Sequence, residues 1–320
     1  MIASSHARSA LSVALTSASR GDFVGTVDLL IGLLTLDGVG RRLNLDPLRK
    51  QALDARWANN WSDDDGGVGG EARADVVALL SQAERFNGSV TCPESLALRE
   101  CLTRALDDAG AGVLTTAHLM LALLRQETGR AAELFAAQRV DVEALIATVP
   151  EVAKPEYTPA VEVLKDSGAL EGQPRGGFWR WIMPLHTRFN RFGALSVAVN
   201  GEAHRLAAGA RPTAAEVLAA ILAVDDQLVA AGLRLLPAHG SAAADVLRAA
   251  GLDVAGLLAV ESPAVDGVRL HKDAKRIAAR CGDAVVEPMH LLLALLEDPA
   301  DPLASVLADR PLPMAGWQTR

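Results

Sequence analysis

The stretch TAHLMLALL, residues 116–124, decides the fold, because three similar stretches occur elsewhere in the chain. They are TVDLLIGLL at 26–34, AAEVLAAIL at 214–222 and PMHLLLALL at 288–296. An almost unbroken apolar run that begins at a helix-starting residue is typical of a buried helix. Each copy therefore predicts the core helix of one repeat.

Each core helix is flanked by Ala- and Leu-rich segments with helical spacing, which predicts four helical repeats and an all-α fold. Residues 150–192 are rich in Pro and Gly and lack this periodicity, so they separate two pairs of repeats. The predicted organisation is a first domain at 1–150, a linker at 151–188, a second domain at 189–313 whose last helix is truncated, and a tail at 314–320.

Residues 59–75, NNWSDDDGGVGGEARAD, interrupt the first domain. Their many Gly and acidic residues predict an exposed, mobile insertion. The run Asp63-Asp64-Asp65 lacks the alternating spacing of a calcium loop, so no metal is predicted there.

The composition excludes several classes of protein. A net charge of -8 disfavours nucleic-acid binding, which relies on clustered Lys and Arg. Three cysteines without CxxC spacing predict neither a disulfide framework nor a zinc site, and they favour the cytoplasm. A secretory signal at the amino terminus is a weaker alternative, because the same residues have helical spacing. Apolar runs are too short to span a membrane.

The order of these motifs resembles a known repeat. A helix, the motif Thr-x-His-Leu, then Ala-Ala-x-x-Leu and Val-Asp-x-x-x-Leu resembles the repeat of the amino-terminal domain of Clp-type Hsp100 unfoldases, most closely at 116–146 and 288–307. The resemblance implies an all-helical, pseudo-twofold domain that receives substrates and adaptors for an ATP-driven unfoldase. This chain resembles two such domains in tandem.

Two family features are missing. No GxxxxGK[ST] motif occurs, which predicts a chain without a motor of its own. Several members carry a Glu after the motif Thr that pairs with phosphoarginine, whereas this chain has Val27, Ala117, Ala215 and Met289 there. Phosphoarginine is therefore not the predicted ligand.

Catalysis is not predicted either. His118 and His290 begin apolar helices without a recurring Cys, Asp or Glu pattern beside them, so a structural role is favoured over a catalytic or metal-binding one. No GxSxG motif is present. We predict no catalytic residue, cofactor or metal.

The segment 176–192 concentrates aromatic residues beside arginines, as binding hot spots do. An equally open interpretation is a linker that is anchored by its rings. Pro184 argues against a continuous membrane-surface helix. The candidate partner-binding residues are Phe178, Trp179, Trp181, Phe189, Arg191 and Phe192.

These features predict a non-catalytic binding protein that acts as an adaptor or modulator of the Clp unfoldase–protease, with a protein, peptide or cyclic-peptide ligand. The alternative is a decoy that sequesters cyclic-peptide antibiotics aimed at the unfoldase's amino-terminal domain. A membrane-surface protein and an enzyme of unknown class are the remote alternatives.

Overall fold

The fold is known from a computed structural model that divides the chain into two compact units, Met1–Thr158 (unit 1) and Pro159–Arg320 (unit 2). The structure describes residues 2–18, 23–35, 39–58, 61, 64–87, 92–173, 191–208, 210–297 and 303.

Helices dominate unit 1, as its Ala- and Leu-rich segments predict. Its elements are β1 (Ile2–Ala3), α1 (Ser5–Ala18), α2 (Thr26–Thr35), α3 (Val39–Arg42), α4 (Asp46–Ala58), α5 (Ala74–Asn87), α6 (Leu96–Ala109), β2 (Val113–Leu114), α7 (Thr116–Leu124), α8 (Arg130–Ala137) and α9 (Val142–Val152).

Unit 1 contains two repeats of the same design. A long helix (α1 or α6) precedes an apolar core helix (α2 or α7), and a short helix (α3 or α8) and a last helix (α4 or α9) follow. Both core helices lie in one hydrophobic core, where Leu29, Leu30, Leu119 and Leu123 are fully buried. The last helix of the second repeat, α9, begins at a capping residue, since Asp141 accepts the Ala144 N–H at 3.0 Å.

The two repeats of unit 1 are joined by an exchange of short extended segments. β1 pairs in parallel with β2, and the Ser4 N–H donates to the Leu114 carbonyl at 2.8 Å. In the reciprocal position, the Ser95 N–H donates to the Val24 carbonyl at 2.9 Å. Each repeat thus reaches the start of the other repeat's core helix, which gives unit 1 an internal pseudo-twofold arrangement.

After an additional first helix, the described helices of unit 2 follow the same order. Its described elements are α10 (Pro159–Ser167), α11 (Ala194–Leu206), α12 (Ala214–Ala230), a 3-10 turn (Pro237–His239), α13 (Ala243–Ala249), α14 (Val254–Leu258), α15 (Gly267–Cys281) and α16 (Pro288–Leu296).

The extended exchange recurs in unit 2. Phe192 pairs in parallel with Val286, and the Gly193 N–H donates to the Val286 carbonyl at 3.1 Å. Asp253 caps α14 by accepting the Gly256 N–H at 2.6 Å, as Asp141 caps α9.

The all-α fold is therefore confirmed. The predicted linker at 151–188 differs from the structure at its start, because α9 continues to Val152 and α10 packs against α11 inside unit 2. Residues 174–190, and the region after 297 apart from Leu303, lie outside the described residues, so the structure says nothing of the truncated last helix. None of the helices within the described ranges is long and apolar enough to cross a membrane.

Candidate functional site

All four core helices begin with the same side-chain cap. The third residue of each helix accepts a hydrogen bond from the backbone N–H of the residue just before the helix, which satisfies a donor that the helix itself cannot pair. The pairs are Asp28 with Gly25 at 3.0 Å, His118 with Thr115 at 3.1 Å, Glu216 with Thr213 at 2.7 Å and His290 with Glu287 at 2.9 Å.

This cap explains why histidine stands in the motif. In both histidines the cap atom is Nδ1, an acceptor, so the neutral ring carries its proton on Nε2. Burial lowers the pKa of His118 and of His290 and favours this neutral form. The structural role predicted for both residues is what the geometry shows.

A buried carboxylate lies at the start of α2. Asp65 is 0% exposed, and its side chain accepts hydrogen bonds from Thr26 N at 2.8 Å, Thr26 Oγ1 at 2.6 Å, Ser95 Oγ at 2.6 Å and Arg130 N at 2.8 Å. Thr26 begins α2, Arg130 begins α8, and Ser95 caps α6. Unpaired N–H groups and the helix dipole both stabilise an anion at such a position. We call this arrangement the Asp65 cradle.

Two glycines make room for the Asp65 carboxylate. A Cβ atom on Gly25 would lie 2.6 Å from Asp65 Oδ2, and one on Gly129 would lie 2.9 Å from Asp65 Oδ1. Gly129 also has a φ of +100°, a conformation that side chains disfavour. Both positions therefore require glycine.

The Asp65 cradle corrects the prediction for the insertion at 59–75. The Asp65 carbonyl accepts the Ala97 N–H at 3.2 Å, and the Gly67 carbonyl accepts the Leu96 N–H at 3.0 Å. The Trp61 ring lies 5.6 Å from the Arg130 guanidinium. The described part of this segment is thus held against the starts of α6 and α8, because the Asp65 carboxylate accepts hydrogen bonds from Ser95 and Arg130 at those helix starts.

A second carboxylate occupies the pseudo-twofold equivalent at the start of α7. Glu156 accepts hydrogen bonds from Thr116 N at 3.0 Å and from Ser4 Oγ at 2.5 Å, and the Thr116 hydroxyl also donates to it. Ser4 caps α1, just as Ser95 caps α6. We call this arrangement the Glu156 cradle.

The two cradles share a further detail. Thr26 Oγ1 accepts the Ala131 N–H at 3.0 Å, and Thr116 Oγ1 accepts the Val39 N–H at 3.3 Å. Each threonine hydroxyl thus ties its own core helix to the short helix of the other repeat.

Residues 92–163 match the family model of the Clp repeat (R) N-terminal domain. Over these residues the chain is similar to the Clp N-terminal domain family, as its repeat motifs predict. The matched range contains α6 to α9, the start of α10, and both Thr116 and Glu156 of the Glu156 cradle. Domains of this family take part in protein–protein interactions of the Clp system. No curated protein matches the chain.

The starts of the core helices in unit 2 differ from those in unit 1. The first residues of α12 and α16 are Ala214 and Pro288, so the threonine hydroxyl of unit 1 has no counterpart there. At the start of α12, the Ala215 N–H donates a hydrogen bond to the Ser262 hydroxyl at 3.3 Å. Ser262 follows α14, as Asp65 follows α4 and Glu156 follows α9. A neutral hydroxyl therefore lies at α12 where the two repeats of unit 1 have carboxylates.

Glu287, just before α16, is the most perturbed acid described in unit 2. Burial, and then the nearby Asp283 charge, raise the pKa of Glu287 to about 7. Its Oε2 atom is buried and has no hydrogen-bond partner among the described residues. The carboxylate lies against Gly193, where any side chain would collide with it.

A possible metal cluster beside α16 is disfavoured by the cap geometry. Ligand atoms of Cys281, Asp283 and His290 lie within 4.8 Å of one another, and His290 Nε2 is 3.0 Å from Asp283 Oδ2. A metal on Nε2 would require a proton on Nδ1. That nitrogen already faces the Glu287 N–H, so the neutral ring instead donates its Nε2 proton to Asp283.

The structure places two of the predicted partner-binding residues. Phe192 is 8% exposed, and its ring lies 4.7 Å from the His271 ring and 5.4 Å from Lys275 Nζ. Arg191 is exposed and has a φ of +58°. Phe192 is thus a packed residue of unit 2 in this structure. Phe178, Trp179, Trp181 and Phe189 lie outside the described residues.

Proposed function

We propose that the chain is a non-catalytic binding protein that acts as an adaptor or modulator of the Clp unfoldase–protease in the cytoplasm, with a protein or peptide segment as its ligand. The observation that carries the proposal is the match of residues 92–163 to the Clp repeat domain. The 320-residue sequence contains no phosphate-binding GxxxxGK[ST] loop, which favours a receptor over a motor.

The chemistry of the helix starts favours binding over catalysis. Thr115 Oγ1 lies 3.0 Å from His118 Nδ1, a spacing that a nucleophile and its base could have. Nδ1 already accepts the Thr115 N–H, however, and the hydroxyl accepts the His118 N–H. Both groups are used in capping the helix, so the pair supports a structural role.

The positions that hold a Glu in phosphoarginine-binding relatives support a different ligand here. Val27 and Met289 are buried and apolar, and Ala215 is buried as well. None of these side chains can pair with a guanidinium. The proposed ligand is therefore a segment without phosphoarginine.

The proposal is tested with the purified chain and the purified Clp unfoldase and protease of the same cell. The chain is titrated into the ATP-dependent degradation of an unfolded model substrate. We expect the degradation rate to change in a saturable way, and a variant with unit 1 unfolded, Leu123→Asp, to have no effect. An unchanged rate, together with no binding to the unfoldase, would contradict the adaptor function.

The decoy alternative is separated in the same assay. A decoy leaves the degradation rate unchanged in the absence of peptide and restores the rate when a cyclic peptide that targets the unfoldase's amino-terminal domain inhibits it. An adaptor changes the rate without any such peptide.

A further inference from the structure

A surface cavity of unit 1 is lined by basic side chains. It has a volume of about 440 Å³, and its described lining consists of His6, Arg41, Arg42 and Lys154. These residues belong to α1, to α3 and to the segment that follows α9. No acidic side chain is among the described lining residues, although the chain carries a net charge of -8.

The Glu156 cradle holds the three walls of this cavity together. The Glu156 carboxylate accepts a hydrogen bond from Ser4, which lies two residues before His6. Glu156 itself lies two residues after Lys154. The Thr116 hydroxyl accepts the N–H of Val39, the first residue of α3, which also carries Arg41 and Arg42. The basic side chains therefore project from segments that hydrogen bonds already fix, which lowers the entropy cost of binding.

The lining has the donors that an oxyanion requires. Arginine guanidinium groups bind carboxylate or phosphate through paired hydrogen bonds, and a lysine adds a compact positive charge. His6 Nδ1 is buried without a hydrogen-bond partner among the described residues, so the cavity also contains one polar atom that lacks a contact. An apolar ligand would desolvate these charged groups without giving them a hydrogen-bond acceptor in return.

We propose that this cavity is an oxyanion-binding site that takes a carboxylate or phosphate group through Arg41, Arg42, Lys154 and His6. The site is separate from the Asp65 and Glu156 carboxylates, which are bound inside the protein. It is also independent of the proposed adaptor function, because small anions can be used to test it without any Clp component.

The test is a titration of the full chain with inorganic phosphate and, separately, with tetraglutamate, at constant ionic strength and pH. Binding is followed by calorimetry and by the side-chain nitrogen resonances of His6. We expect saturable binding of at least one of these anions, with a shift of the His6 signals. Arg42→Gln and Lys154→Gln should each weaken binding by about tenfold, because each removes a charged hydrogen-bond donor.

The matched control is Lys50→Gln, which removes the same charge from an exposed position of α4 in the same unit. Binding of tetraglutamate alone identifies a carboxylate ligand, and binding of phosphate alone identifies a phosphate ligand; both outcomes support the site. The proposal is overturned if neither anion shifts His6, or if Lys50→Gln weakens binding as much as Lys154→Gln. Folding of each variant is checked by backbone spectra, and Lys154 is exposed enough to be replaced without loss of the fold.

Discussion

Units 1 and 2 share an order of helices but differ at the starts of their core helices. Unit 1 places a threonine there and binds it to a buried or half-buried carboxylate, Asp65 or Glu156. Unit 2 has Ala214 and Pro288 at these positions, and the nearest equivalent acceptor is the neutral Ser262 hydroxyl. The comparison teaches that the extended exchange and the caps are common to both units, whereas a carboxylate bound to a threonine at the first helical position is described only at α2 and α7 of unit 1.

The two units also differ in how their entry segments are held. Ser4 and Ser95 donate hydroxyl protons to carboxylates in unit 1. The equivalent residue of unit 2 is Gly193, and the residue before it, Phe192, is held by ring packing instead. The entry to α11 therefore depends on apolar contact, where the entries to α1 and α6 depend on hydrogen bonds to carboxylates.

The largest expected effect is that of Phe192→Ala on unit 2. Truncation of a buried ring leaves a cavity and should lower the free energy of unfolding of unit 2 by about 3 kcal/mol or more. Hydrogen exchange of α11 and α16 in a denaturant series measures the change, with α2 and α7 as the internal reference. If exchange in unit 2 is unchanged, the ring does not stabilise this entry segment.

Asp65→Ala tests the internal anion of unit 1. The substitution leaves donors from three helix starts without an acceptor and should destabilise unit 1 by about 3 kcal/mol. The control is Asp64→Ala at the exposed neighbouring position, which should change stability by less than about 0.5 kcal/mol. Chemical denaturation followed by hydrogen exchange in α2, α6 and α8 compares the two variants. Equal effects of both substitutions would show that the Asp65 hydrogen bonds do not stabilise unit 1.

Glu287→Gln tests the uncompensated acid of unit 2. The pKa of Glu287 in the folded state, about 7, is above that of an ordinary Glu, so the folded state binds more protons than the unfolded state between about pH 4.5 and 7. Unit 2 should therefore lose stability as the pH rises through this window. Because the carboxyl group is partly exposed, we expect Gln to recover only about 1–2 kcal/mol at pH 8.

The measurement is the stability of unit 2 from pH 4 to 8 for the native chain and the Gln variant. The two curves should meet near pH 4 and separate as Glu287 ionises. Parallel curves across the whole range would mean that Glu287 titrates at the same pH in the folded and unfolded states.

Ser262→Ala should have the smallest effect. It removes one long hydrogen bond between neutral groups at the start of α12, so we expect a loss of less than about 1 kcal/mol from unit 2. Denaturation of this variant beside Asp65→Ala compares equivalent positions of the two units directly. A loss as large as that of Asp65→Ala would show that the neutral contact and the anion contribute equally.

Periodicity and local capping could be predicted from the sequence. The core helices α2, α7, α12 and α16 follow from their apolar runs, and Asp141 and Asp253 were identifiable as caps because such caps act within three residues. The role of Asp65 was missed because its partner Thr26 lies 39 residues away, and a Gly-rich acidic segment is usually solvated. The available signals were Gly25 and Gly129, which precede two helix starts.

Phe192 shows a second limit of sequence reasoning. Clustered aromatic residues are typical both of binding hot spots and of anchored segments, and composition does not separate the two. The ring of Phe192 contacts His271, which lies in another repeat, so only the tertiary structure could show that the Phe192 ring is packed.

The most direct test of the proposed function is the binding of the full chain to the purified Clp unfoldase, measured as an equilibrium titration with the chain immobilised. The account predicts saturable binding that is lost in Leu123→Asp, which unfolds unit 1 by placing a charge at a fully buried position. Retention of full affinity by that variant, or absence of binding by the native chain, would contradict it.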